Sequence, residues 1–176
     1  MPTIAVVEQV TLDGVMQAPE DWAQPYQDHV MQQYMGARMG GGPGAMLWGR
    51  RTYEKMAAFW PHQTDGNPFT EFLNRAQKYV VSRTLREPDW ERTTVLPDVD
   101  AVAALDDPHL TVLGSGELVA SLLRAELVDE LLLTIHPLVL GAGRRLFPDG
   151  VSAKLELVDT TTTTTGVIIA AYTRAR

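Results

Sequence analysis

Cysteine is absent from the 176-residue chain, which excludes disulfides, thiolate catalysis and Cys-based zinc sites. There is no apolar run long enough to span a bilayer, and Met1-Pro2-Thr3-Ile4 is not a basic segment leading an apolar core. A cytoplasmic protein without a membrane partner is expected. Basic charge is scarce as well: 15 basic side chains stand against 22 acidic ones, a net charge of −7, so bulk attraction to nucleic acid is unsupported and any anion site must be local. His29, His62, His109 and His136 show no ligand spacing, and no metal is expected. Neither a repeat nor a linker interrupts the chain. With 45% hydrophobic residues, the length suits one well-buried core, a single domain over residues 1 to 176.

What is present alternates strand with helix. Thr3 to Val10 is β-branched and apolar, with Glu8 and Gln9 inside it, and Thr11-Leu12-Asp13-Gly14 closes it as a turn. From Trp22 to Arg38 apolar residues recur at helical spacing, and Gly40-Gly41-Gly42-Pro43-Gly44 stops that helix. Ala45 to Trp48 reads as the second strand, followed by a helix from about Arg50 to Phe59, an irregular loop from Pro61 to Pro68 and a helical turn or two over Glu71 to Ala76. Lys78 to Ser82 and Thr93 to Leu96 are further strands, with a brief helix over Asp100 to Leu105. Leu110 to Leu113 runs through Gly114-Ser115-Gly116-Glu117 into a helical face at Leu118, Val119, Leu122 and Leu123, and Glu130 to Ile135 is a dense apolar strand. Leu155 to Val158 and Gly166 to Tyr172 pair as antiparallel strands, and the intervening threonines, Thr160 to Thr165, read as a hairpin arm.

Chemistry concentrates at three strand ends. Gly49-Arg50-Arg51-Thr52 opens a helix, where free N–H groups and the positive dipole end favour a phosphate and arginine adds bidentate recognition; two solvated arginines are the alternative. Ser82-Arg83 follows a strand and offers charge and a stacking plane. Gly114-Ser115-Gly116 permits close approach of backbone to a pyrophosphate, or is merely a turn. Arg144 and Arg145 offer an anion contact or a solvated loop.

These junctions fall in a telling order together with Leu12-Asp13-Gly14, Tyr53-Glu54, Phe59-Trp60-Pro61, Val80-Val81, Leu127-Val128-Asp129-Glu130-Leu131 and His136-Pro137-Leu138-Val139-Leu140-Gly141-Ala142-Gly143. Over nearly its whole length the chain resembles the dihydrofolate reductase-like superfamily, specifically the reductase domain at the C-terminus of the bifunctional riboflavin-biosynthesis deaminase/reductase. The resemblance implies a three-layer α/β sandwich whose mixed, mainly parallel central sheet ends in an antiparallel hairpin, with NADPH across the sheet's C-terminal edge. It implies Gly49, Arg50, Arg51 and Thr52 at phosphates, Ser82 and Arg83 at the 2′-phosphate end, Gly114, Ser115, Gly116, Glu117 and Leu118 at the pyrophosphate, and Asp13 and Gly14 beside the nicotinamide. It also implies a homodimer through Leu131 to Leu140. Two positions depart from the riboflavin-pathway pattern: residues 1 to 37 contain no lysine or arginine, and Leu113 precedes Gly114.

The reaction so implied is hydride transfer to a C=N or C=O of a small heterocycle such as a pterin, a folate or a ribosylaminopyrimidine. Candidate proton donors are Asp28, which shares a helical face with Met31 and Met35 and would have a raised pKa if it points inward, Glu8, a carboxylate inside an apolar strand, and Asp13, with Asp21 at the helix start behind them. Asp13 is equally a turn former, and for Asp28 a solvated helix carboxylate is the favoured alternative. Trp60 is the tryptophan favoured as a planar-substrate contact. A nucleotide- or flavin-binding module without turnover is the alternative function.

Overall fold

The computed structural model describes residues 1–39 and 44–175. Strand β1 (Thr3–Thr11) lies inside an eight-stranded sheet, and burial alternates residue by residue along it, the period of a strand with two unlike faces. It pairs in parallel with β5 (His109–Leu113) on one side and β6 (Glu130–His136) on the other. Past β5 come β2 (Ala45–Gly49), β3 (Lys78–Val81) and β4 (Thr93–Leu96), all parallel. Past β6 the sheet turns antiparallel through β8 (Ile168–Arg174) to the edge strand β7 (Leu155–Thr162), giving the order β4-β3-β2-β5-β1-β6-β8-β7. The expected mixed, mainly parallel sheet with its C-terminal hairpin is what forms, and Thr160 to Thr162 belong to the hairpin arm.

The helices are α1 (Pro19–Trp22), α2 (His29–Met39), α3 (Arg50–Phe59), α4 (Pro68–Arg75), α5 (Val99–Ala103) and α6 (Gly116–Arg124). On one face Val102 of α5 and Val119 and Leu122 of α6 pack on Ile4, Val6, Leu47 and Val112. On the other, α3 and α4 cover Met46, Trp48 and Val80, and Met31 of α2 covers Leu132 and Ile169. Alternation along β2 sends Leu47 to the first layer and Met46 and Trp48 to the second, so one short apolar run serves both.

The single helix expected from Trp22 to Arg38 is instead three pieces: α1, a 3-10 turn at Gln24–Tyr26 containing Pro25, and α2. Proline near the start of a turn fits, but it cannot continue an α-helix through its missing N–H. Asp28 then restarts the chain as an N-cap, accepting from the Met31 N–H at 2.8 Å. The glycine-rich stop at residues 40 to 43 lies outside the described residues. Helix α4 begins earlier than expected, at Pro68, because Asn67 caps it by accepting from the Phe69 N–H.

Candidate functional site

Leaving β1 the chain passes to the α2 face, whereas leaving β5 it passes to the α6 face. Neighbouring strands whose connections diverge in this way leave a crevice at their carboxyl ends, where open α/β sheets bind ligands. A cleft of about 960 Å³ occupies that place. Its floor takes Val7, Glu8 and Gln9 from β1, Leu113 from β5 and Thr134 from β6, and its roof includes Met31 and Met35 of α2.

One end is built from two helix starts. Helix α3 begins after Gly49 and α6 after Ser115, and neither is closed by a side-chain cap. The Ser115 hydroxyl is committed elsewhere: it accepts the Gly49 N–H at 2.9 Å and so ties the two junctions together. Ser115 adopts φ 74° and Gly114 φ 75°, left-handed backbone that costs a non-glycine residue about 1–3 kcal/mol and marks a constrained turn. A Cβ on Gly114 would stand 3.3 Å from Thr52 Cγ2, and one on Gly116 3.0 Å from Met16 Sδ. Bare glycine therefore keeps this turn close against α3 and against Met16 of the loop after β1.

Charge is arranged around that end. Glu117, in the first turn of α6, sits between Arg51 at 3.9 Å and Arg144 at 4.0 Å. Arg50 bonds Glu54 one turn along and donates to the Thr84 hydroxyl at 2.6 Å. Gly49, Arg50, Arg51, Thr52 and Gly114 to Leu118 all line the cleft, as does Arg144. Uncapped amides, three guanidinium groups and a glycine turn thus gather at one end of the cleft, a donor set with the chemistry to take an anion such as a phosphate.

Glu8 is the outstanding titratable group. It is 4% exposed, and its Oε1 has no hydrogen-bond partner. Burial drives its pKa up to about 8, and the Gly114 N–H bond offsets only some of that rise. In register β1 passes β5 at Val7 opposite Leu113, so Glu8 lies where β5 peels away.

Several residues expected at the site lie elsewhere. Asp28 does not line the cleft and its pKa is lowered, not raised, because the Thr164 hydroxyl and N–H and the Met31 N–H all donate to it. Its place on the face of Met31 and Met35 reflects an N-cap that also anchors the β7–β8 turn. Asp13 accepts from the Thr11 hydroxyl and from the Leu140 and Gly141 N–H groups, which holds its carboxyl down to about 2; it staples two loops. Gly14, at φ 82°, turns that loop outside the cleft. The Asp21 N–H closes a turn onto Ala18 and its side chain makes no cleft contact. Trp60 packs edge-on to Phe59 and Phe69 and donates to Met56 Sδ, within the α3–α4 corner. Ser82 spends its hydroxyl on the Thr84 and Leu85 N–H groups; it and Arg83 follow Val81, a lining residue, without lining the cleft themselves.

The sequence does not single out the β1–β6 side of the floor. Gln9 and Thr134 are register partners there, and His136, fully buried, places its Nε2 3.2 Å from Gln9 Oε1. The signal available is a polar residue next to Glu8 on the opposite face of an apolar strand.

The Bacillus subtilis (strain 168) protein YyaP is 28% identical over 174 residues, covering 93% of this chain and 90% of its own. A pyrimidine reductase-like protein from Corynebacterium diphtheriae superposes with a TM-score of 0.69 at 15% identity, covering 99% of this chain and 92% of that one. A diaminohydroxyphosphoribosylaminopyrimidine deaminase/5-amino-6-(5-phosphoribosylamino)uracil reductase from Thermotoga maritima gives a TM-score of 0.67 at 17% identity, covering 99% of this chain and 57% of that one. The family description RibD C-terminal domain matches residues 2–169. With the fold, the switch-point cleft and that match in agreement, the chain belongs to the RibD C-terminal domain family.

Proposed function

We propose that the chain is an NADPH-dependent oxidoreductase that reduces a C=N or C=O of a small heterocycle, with Glu8 as proton donor. The observation that carries this reading is a carboxyl kept protonated at neutral pH, buried at the switch point beside the Gly114–Gly116 turn. When bound, reduced nicotinamide supplies the hydride. The chain's own residues do the rest. Amides at the starts of α3 and α6, with Arg50, Arg51 and Arg144, hold the phosphates and fix the cofactor's register. Arg51 and Arg144 reach the anion by releasing Glu117. Arg50, tied to Thr84, holds the Ser82–Arg83 turn next to the lining residue Val81, from which Arg83 would have to reach in to meet a 2′-phosphate. Glu8 holds its proton until the substrate atom beside it gains electron density.

Calorimetric titration with NADPH, NADH and FMN tests the reading. NADPH is expected to bind at least tenfold more tightly than NADH, and Arg50→Ala and Arg83→Ala to erase most of that difference. Binding of FMN alone would replace the reductase with a flavin module. The same reading takes the chain as a homodimer: edge strand β7 and the neighbouring loops expose Leu157, Val158, Val139 and Leu140, which a second copy would cover. Light scattering on the purified chain checks the mass.

A further inference from the structure

The part of the cleft on the α2 face of the sheet, one residue along β1 from Glu8 and across to β6, has a composition of its own. Gln9 and Thr134 form its floor, and Met31, Gln32 and Met35 face them from α2. None of these is charged. The cleft's cations stand on α3 (Arg50, Arg51 and Lys55) and in the loop before Leu146 (Arg144), and none of the residues lining it from β1, β6 or α2 is a cation. A phosphate dianion placed against thioethers and neutral amides would lose hydration with no cation to replace it.

A single donor is fixed within this region. With Gln9 Oε1 facing it, His136 Nε2 carries the proton of this bond; turning the amide over would move the proton to Nδ1, which is buried with no acceptor in reach. His136 is itself held: its ring meets Trp22 edge-on at 5.1 Å and Tyr26 at 5.4 Å, and burial keeps the imidazole neutral. Its Nδ1 has no partner, consistent with a bare acceptor in place of a stranded N–H. Among the described residues no protein acceptor takes the Gln9 N–H2 group, which is left to the cleft.

We infer that Gln9 determines specificity, its N–H2 donating to a carbonyl oxygen or ring nitrogen of an uncharged planar heterocycle, and that the site discriminates against the phosphorylated form of the same ring. His136 is a positioning residue that acts through Gln9. This rests on the reductase reading and names the substrate class for it.

The test is calorimetric titration of the full chain saturated with NADP+ using two matched probes, 5-amino-6-(5-phosphoribosylamino)uracil and its phosphate-free riboside. The riboside is expected to bind at least tenfold more tightly. Gln9→Leu is expected to weaken riboside binding about tenfold while leaving the NADP+ affinity within twofold. His136→Phe should weaken it similarly in the parent but not in the Gln9→Leu background, a coupling that general loss of structure would not produce. Equal or tighter binding of the phosphorylated probe, no binding of either probe, or an unchanged Gln9→Leu variant overturns the inference while the cofactor still binds. Failure of NADP+ and NADPH to bind at all overturns the reductase reading and this inference with it.

Discussion

Glu8 and Asp28 are both carboxylates next to apolar residues in the sequence, and their surroundings separate them. Burial leaves Glu8 protonated up to about 8, so turnover should hold through neutral pH and fall as pH rises through that value. Glu8→Gln should lower kcat by at least about a hundredfold, the scale of a lost general acid, with NADPH affinity within twofold; steady-state rates across pH check both. Stability carries the same signature with a definite sign. The native carboxyl keeps its proton where the unfolded one, with an ordinary pKa of 4.5, has lost it, so the native state binds more protons between the two values and stability falls with rising pH over that window. Denaturant titrations should show a decline on the order of a few kcal/mol from about pH 5 to 8, absent in Glu8→Gln. Asp28→Asn, by contrast, should lower Tm and leave turnover unchanged. Glu8 is legible in the sequence because a carboxylate inside an apolar strand demands an explanation. Asp13 and Asp28 mislead because spacing along a helix or turn cannot distinguish a side chain aimed at a ligand from one folded back on nearby N–H groups. Gln9 gives only the weaker signal of a neutral polar residue inside an apolar strand, and its tie to His136 gives none, because that bond joins two strands remote in the chain.

At the scale of elements, strand-to-glycine-to-helix junctions are readable: β2 into α3 and β5 into α6 are where the apolar runs and glycines place them. Their coupling is not, since nothing local indicates that Ser115 reaches Gly49. Ser115→Ala removes that acceptor and keeps the left-handed backbone; it should cost about 1–2 kcal/mol and weaken NADPH binding severalfold, read by chemical denaturation and calorimetry. A different glycine sets the entry to β2. Gly44 has φ 71°, and a Cβ there would lie 2.4 Å from the His109 carbonyl oxygen. Backbone cannot yield as a side-chain end can, so Gly44→Ala should destabilise by about 3 kcal/mol. The break at Pro25 shows the limit of periodicity: Trp22, Tyr26 and Val30 keep helical spacing, yet Trp22 and Tyr26 face His136 from short turns.

Across the whole molecule, the layer order and the C-terminal hairpin follow from alternating strand and helix patterns and from the family resemblance. The place of each strand in the sheet does not, because long-range pairing leaves little local trace. That pairing has a kinetic side. β1 has only β5 and β6 as neighbours, so the first strand made waits for Thr3 to meet His109 and for Ala5 to meet Glu130 before any of its ladder exists. Non-local closure of this kind slows folding and leaves an apolar strand exposed during synthesis. The cleft inherits the delay: Glu8, Gly114, Thr134 and Arg144 come together only after the chain has emerged beyond all of them. On the proposed reading cofactor binding would report completed folding, and a nascent chain ending before β6 should stay sensitive to protease whether or not NADPH is supplied.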